Sequence, residues 1–167
     1  MAVTIMFAAL ASAMATEKTL KVKIAGEGIE EAKMYVQPMQ PGLDVQSCEM
    51  ERTGNEFAAL VEASAENLYR LIYICRQTQT IVPLYAEGEL LNVSLVLDGN
   101  MPVATDNDNN KALSAMGRFV AANDRAMWER RPQESADIKA MLGAYSVAAD
   151  SILSIYKCRP NVAQYIK

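Results

Sequence analysis

Histidine is entirely absent from this chain of 167 residues. That absence excludes Ser-His-Asp and Cys-His catalysis, histidine-ligated zinc, and the side chain that most often moves protons near neutral pH. The chain also has no P-loop and no GxGxxG motif, which are typical of nucleotide-binding enzymes. We therefore expect no cofactor in this chain.

A surplus of positive charge is missing as well, since 16 Lys and Arg residues stand against 20 Asp and Glu residues, for a net charge of -4. Nucleic-acid binding needs a basic surface, so we expect no nucleic-acid partner. The apolar run near the N-terminus is too short to span a bilayer, so we expect no membrane span. The length fits one domain with a real core, or a small domain with a helical appendage.

Cysteine is scarce, and Cys48, Cys75 and Cys158 form no C-x-x-C pair. A secreted protein could join two of them, but an odd count leaves one thiol over. Cys48 and Cys75 both lie in candidate strands, so a disulfide or a redox-sensing pair between them is one hypothesis. The favoured interpretation is that they are small buried hydrophobic residues.

Residues 1–15, MAVTIMFAALASAMA, predict a secretory signal peptide. An apolar run is followed by Ala13-Met14-Ala15, which matches an A-x-A cleavage site, and then by polar residues. No Lys or Arg precedes the run, and the alternative is a first buried strand or helix. The signal predicts a secreted, periplasmic protein.

Short runs over residues 16–106 predict an antiparallel β domain. The clearest strand extends over residues 91–97, where apolar and polar residues alternate. The run LYRLIYIC at residues 68–75 is apolar on both faces apart from Arg70, which predicts a strand in the middle of a sheet. Pro83 in the next run predicts an edge strand or a bulge. About eight short strands with regular turns favour a sandwich or a strongly curled sheet.

Residues 107–167 predict a helical segment, a hairpin followed by the start of a third helix. Leu113, Met116 and Val120 have helical spacing, and a second apolar stripe begins at Ile138. The predicted fold class is therefore α+β, an N-terminal antiparallel β-sandwich-like domain followed by a helical hairpin.

The polar run Asp106-Asn107-Asp108-Asn109-Asn110 precedes the first helix. It could be read as a calcium loop, but Lys111 and Gly117 occupy the positions where an EF-hand has Gly and Glu. The better interpretation is that these side chains cap the N-terminus of the helix by accepting its free N–H groups.

Three tyrosines, Tyr69, Tyr73 and Tyr85, are candidates for an apolar face that binds a ligand. They could equally be sheet packing. Acidic pairs near Glu30 and Glu87 could serve glycoside hydrolysis, but both lie at turns, where solvated carboxylates are usual.

The order of these motifs resembles the DUF4369 type of N-terminal domain. TLKVKIAGEGIEEAKMYV is similar to its first hairpin, and IVPLYAEGELLNVSLVLD to its later hairpin. ATDNDNNKALSAMGRFV resembles its exit into a long helix, and RPNVAQYIK the connector that follows. In that family the domain precedes a thioredoxin-like domain of a secreted thiol-disulfide oxidoreductase.

The resemblance implies no catalytic residue here, because the family's W-C-x-x-C motif is missing and Trp128 is followed by Glu129. It implies a non-catalytic accessory module of the envelope, with a redox domain in cis or envelope proteins as partners. The alternative is a stand-alone periplasmic protein that binds a peptide or a small ligand.

Overall fold

The computed structural model describes residues 17–26, 29–39, 46–64, 66–88, 91–99, 101–130 and 135–167, without the side chains of residues 126–130 and 135. The predicted signal peptide at residues 1–15 lies outside these ranges. The described residues form strands between Glu17 and Ala104 and long helices after them.

Nine strands and three α-helices occur in the described residues. The strands are β1 (Glu17–Ala25), β2 (Lys33–Pro38), β3 (Cys48–Glu49), β4 (Glu51–Thr53), β5 (Glu56–Glu62), β6 (Leu68–Cys75), β7 (Thr78–Tyr85), β8 (Leu91–Asp98) and β9 (Met101–Ala104). The helices are α1 (Asp108–Arg130), α2 (Ser135–Ile155) and α3 (Pro160–Ile166), and a short 3₁₀ turn covers Ile29–Glu31.

The strands form two sheets that share one buried interior. One sheet has the order β4-β5-β1-β8-β9, and the other has the order β3-β2-β6-β7. All strand pairs are antiparallel except β1 with β8, which is parallel. Buried side chains from both sheets belong to a single cluster, as in a sandwich. The predicted α+β fold class, a sandwich-like β domain followed by a helical hairpin, is confirmed.

Alternation explains how each strand faces this interior. In β1, Leu20, Val22 and Ile24 are fully buried, whereas Lys23 between them is exposed. The predicted central strand LYRLIYIC is β6, which lies between β2 and β7. The strand that contains Pro83 is β7, and it lies at the edge of its sheet as predicted.

The helical hairpin starts at a capped N-terminus. The side-chain carbonyl of Asn107 accepts a hydrogen bond from the Asn110 backbone N–H at 2.9 Å, which is the bond of a helix N-cap. The prediction that this polar run caps the helix is thus confirmed. Further along, Phe119 of α1 packs edge-to-face on Tyr145 of α2, with ring centroids 5.4 Å apart.

One helical stretch in the described part of the chain, Ala136–Ile155 in α2, is long and apolar enough to cross a membrane by length and composition. A single stretch of this kind is weak evidence, so it is not a clear membrane span. Only 6% of its most apolar part is buried, and charged residues such as Lys139 and Asp150 lie along it.

Candidate functional site

Asn110 in the first turn of α1 holds the end of edge strand β7. Its side-chain carbonyl accepts a hydrogen bond from the Tyr85 N–H at 2.7 Å, and its amide donates to the Tyr85 carbonyl at 2.9 Å. The same amide donates to Asp106 at 2.9 Å. Asn110 is fully buried, so it replaces the neighbouring strand that Tyr85 lacks.

Ser114 does the same for edge strand β9 of the other sheet. Its hydroxyl oxygen accepts a hydrogen bond from the Ala104 N–H at 3.0 Å and lies 3.4 Å from the Ala104 carbonyl, to which it donates. Asn110 and Ser114 are four residues apart and therefore lie on one face of α1. The helix thus closes the open side of the sandwich where the two edge strands end.

The hydrogen bonds around Tyr85 fix the direction of the β7 backbone. Tyr85 lies opposite Leu68 of β6, and the adjacent ladder bond extends from the Ala86 N–H to the Asn67 carbonyl at 3.0 Å. Leu68 and Tyr85 are therefore a non-hydrogen-bonded pair of the ladder, in which the backbone N–H and C=O groups of each residue point away from the other strand. This arrangement agrees with the outward bonds that Tyr85 makes to Asn110.

Alternate residues of β7 therefore point their backbone groups away from β6. Counting back in twos from Tyr85 gives Pro83, Ile81 and Gln79. Pro83 fits this position because it has no N–H to lose. Of these four residues, Tyr85 alone has its outward groups bonded within the described part of the chain.

A cleft of about 790 Å³ lies against this open edge. Residues 78–83 line one side of it, with side chains from both faces of the strand, so the cleft meets β7 at its backbone edge. The other sides are formed by Asp98 and Pro102 at the β8–β9 hairpin, by one face of α1, and by the end of α3.

The cleft combines apolar walls with a charged rim. Val82 and Leu113 are buried beneath it, while Ile81 is 53% exposed. At the rim Asp98 forms an ion pair with Arg118 at 3.1 Å. Asp124 accepts a hydrogen bond from the Tyr145 hydroxyl at 3.1 Å. Apolar walls with a few polar groups are the usual composition of a ligand site.

The three tyrosines predicted as a ligand face are all buried, and they do not share one surface. Tyr69 and Tyr73 lie in the sandwich interior, whereas Tyr85 belongs to the cluster beneath the helices. The Tyr69 hydroxyl accepts a hydrogen bond from the Ser64 N–H at 3.2 Å. Burial, together with a hydrogen bond to Cys75, raises the pKa of Tyr73 to about 12. None of the three lines the cleft.

Tyr85 also anchors a polar network at the surface. Its hydroxyl donates to Glu87 at 2.6 Å, and the Arg159 guanidinium donates to the same carboxylate at 3.2 Å. The hydrogen bond from Tyr85 and then that from Arg159 hold the pKa of Glu87 below its ordinary value. The Arg159 N–H donates to Asn109 at 2.8 Å, so the network joins the loop after α2 to β7 and α1.

The cysteines are present as thiols. Cys48 is exposed on the short strand β3, so the expectation that it is a buried hydrophobic residue is wrong. Cys48 of β3 lies opposite Val36 of β2, and Val36 lies opposite Leu71 of β6. Cys75 is four residues further along β6 than Leu71. Two strand spacings and four residues place Cys48 and Cys75 about 16 Å apart, whereas a disulfide needs Cα atoms within about 7 Å. A bond between them would require the sheet to rearrange.

Sequence reasoning missed the cleft and the two residues that frame it. A signal was present, because Asn110 and Ser114 place polar side chains on the same helical face as the apolar Leu113. Polar residues on an apolar stripe indicate backbone groups that need partners. No pattern in the sequence indicated which strands would supply those groups.

Neither the models of known families nor the curated proteins compared with this chain give a match. The resemblance to DUF4369-type domains therefore stays a prediction.

Proposed function

We propose that this chain is a non-catalytic binding module of the cell envelope that holds a ligand in the cleft beside β7. The observation that carries the proposal is the cleft itself, about 790 Å³ in volume, with apolar walls and a charged rim. That volume is within the range of about 300–1,000 Å³ that ligand sites occupy.

The rigidity of the surroundings supports this role. The β7 side of the cleft belongs to the sandwich, and α1 is fixed to both edge strands through Asn110 and Ser114. A pre-formed cavity loses little free energy to ordering when a ligand binds. The predicted signal peptide and the lack of histidine favour an envelope binding role over catalysis.

The test fills the cleft from an exposed position. Ala121 lines the cleft on α1, and the adjacent Ala122 is also exposed but does not line it. We expect fragment-sized molecules and short peptides from a screening library to shift the amide NMR signals of cleft residues. Ala121→Trp should abolish those shifts, and Ala122→Trp should preserve them. Shifts that are absent from the cleft, or that survive Ala121→Trp, would refute the proposal.

A role beside a redox domain is a special case of the same proposal. The DUF4369 resemblance implies such a domain in cis, and the intact mass of the protein purified from its native envelope tests it. A mass larger by about 100–150 residues, the size of a typical domain, would support the accessory role. A mass equal to this chain without residues 1–15 would favour the stand-alone binding protein.

A further inference from the structure

We infer that the ligand of this cleft is an extended peptide segment that adds as a strand to the open edge of β7. The inference rests on the proposed function and specifies the chemistry of the ligand. Its basis is that the cleft adjoins a strand edge where the outward backbone groups of Gln79, Ile81 and Pro83 have no hydrogen-bond partner among the residues that the structure describes.

The edge offers a defined set of hydrogen-bonding groups. Gln79 and Ile81 each present an outward N–H and C=O, and Pro83 presents a C=O. Their spacing of two residues is the repeat with which a neighbouring strand forms bonds. At Tyr85 the series ends, because Asn110 already occupies that residue's N–H and C=O. The edge available to a peptide therefore extends from Gln79 to Pro83.

The volume of the cleft fits one strand of this length. A strand occupies about 4.8 Å in the hydrogen-bonding direction and about 10 Å across its side chains. A cleft of about 790 Å³ with this cross-section is about 16 Å long, which corresponds to about five extended residues. The residues from Gln79 to Pro83 are also five.

The same dimensions select a single extended segment over a second folded copy of the chain. An edge strand of another copy would bring its own neighbouring strands and helix. The cleft is bounded by α1 at Ala121 and by the β8–β9 hairpin at Asp98, and its volume of about 790 Å³ leaves no space for the neighbouring strands and helix of a second copy. The partner is therefore a loop, a tail or an unfolded stretch of a polypeptide.

The lining specifies the side chains of the peptide. Ile81 is the exposed apolar side chain of this edge, so side chains on the same face of the added strand would contact it, which favours apolar residues at alternate positions. At the rim, Asp98 is paired with Arg118. The remaining charged lining residues, Asp124 and Arg125, have opposite signs, so the rim has no net charge. The rim therefore selects no charge of one sign, and the apolar lining is what specifies the side chains of the peptide.

The test introduces a proline at position 81, whose backbone nitrogen points outward from β7 in the same way as that of position 83, where the chain already has a proline. Ile81→Pro removes the outward N–H of Ile81 and leaves the bonds to β6 intact, as Pro83 does two residues later. Ile81→Val is the matched control, because it changes the side chain and keeps the N–H. The probe is a phage-displayed library of random dodecapeptides, from which enriched peptides are synthesised and their affinities measured by fluorescence anisotropy.

We expect the enriched peptides to lose about tenfold or more in affinity for Ile81→Pro, the effect of one lost backbone hydrogen bond with its desolvation. Affinity for Ile81→Val should change less than about twofold, since exposed apolar substitutions have small effects. In the unaltered protein, the amides of Gln79 and Ile81 should gain protection from hydrogen exchange when peptide binds. This measurement does not depend on the folding of any variant.

Several results would overturn the inference: no enriched peptide, equal affinity for the proline variant, or no added protection at Gln79 and Ile81. A peptide or fragment whose binding is blocked by Ala121→Trp but not by Ile81→Pro would preserve the proposed binding function and refute strand addition. A library in which nothing reaches the cleft would refute both.

Discussion

The sandwich and the helices of this protein bury their apolar residues to very different degrees. In the sandwich, side chains such as Leu71 are fully removed from solvent. On α2, Leu142 is 61% exposed and Val147 is 71% exposed. Because hydrophobic stabilisation follows the apolar area removed from water, the sandwich supplies most of the folding free energy and the helices add less.

The two regions also differ in how they are joined. The sandwich interior is held by non-directional packing between two sheets. The helices attach through a smaller cluster and through hydrogen bonds from Asn110 and Ser114 to the edge strands. Directional bonds position α1 against β7 and so shape the cleft. Stability therefore comes mainly from one region, and the geometry of the site comes from the junction.

The largest effect should come from a cavity in the sandwich. Leu71→Ala should lower the free energy of unfolding by about 2–5 kcal/mol, because the site is fully buried and cannot collapse easily. Leu142→Ala removes the same atoms from an exposed position and should change it by less than about 0.5 kcal/mol. Urea denaturation of the two variants measures both values. Similar losses would mean that the regions contribute equally.

The next largest effect should come from the hydrogen bonds that join α1 to the edge strands. Asn110→Ala leaves the N–H and C=O of Tyr85 buried without their partner and should cost about 1–3 kcal/mol. Hydrogen exchange should accelerate in the helices and remain slow in β1 and β6. Asn123→Ala is the control, since among the described residues its amide bonds only to the Phe119 carbonyl of its own helix. Unchanged exchange in α1 would show that packing alone holds the helices.

How much of the structure could be predicted from the sequence also differs between the strands of the sandwich and the way the helices pack on them. Periodicity is a local property, so it revealed the central position of β6 and, through Pro83, the edge position of β7. The sequence left open whether Tyr69, Tyr73 and Tyr85 line a ligand face or pack in the sheet, because β6 and β7 carry apolar residues on both faces. Which face is covered depends on where the helices pack, and that is a property of the whole chain.

The cleft was beyond prediction for a related reason. It lies along residues 78–83 of β7, which precede the end that Asn110 holds, and it is completed by α1, α3 and the β8–β9 hairpin, which are distant in sequence. The polar run at residues 106–110 was correctly predicted to cap the helix through Asn107. Its second role, through Asn110, involves a residue 25 positions away, and the sequence does not indicate which strand supplies that partner.

A third prediction compares two glycines. Gly26 follows β1 with φ of +151°, and a Cβ there would lie 2.8 Å from the Cβ of Leu97. Gly26→Ala should therefore destabilise the protein by more than about 1 kcal/mol. Gly143 lies in α2 with no atom within 4 Å of an added Cβ, so Gly143→Ala should stabilise by about 0.5–1 kcal/mol. Thermal unfolding of both variants tests the sign of each stability change. A loss of stability in Gly143→Ala would contradict the free space that surrounds this position of α2.

The smallest effect should be the acid response of the network that joins the helices to β7. The Tyr85 hydroxyl and the Arg159 guanidinium lower the pKa of Glu87 from 4.5, so the folded state favours the ionised carboxylate. A lowered pKa in the folded state contributes stability above pH 4.5, and this contribution is lost as the pH falls through the folded value. Glu87→Gln should therefore be less stable than the parent near neutral pH, and the difference should shrink on acidification.

The melting temperatures of the parent and Glu87→Gln, followed from neutral pH to about pH 3, test this response. The effect should be small because the carboxylate is exposed. Tyr85→Phe should reduce the pH-dependent difference more than Arg159→Gln, since the hydrogen bond from Tyr85 is the larger cause of the lowered pKa. The reverse order would mean that the ion pair, and not the bond at the end of β7, carries the coupling. A difference that stays constant with pH would show that Glu87 acts here through packing and not through its charge.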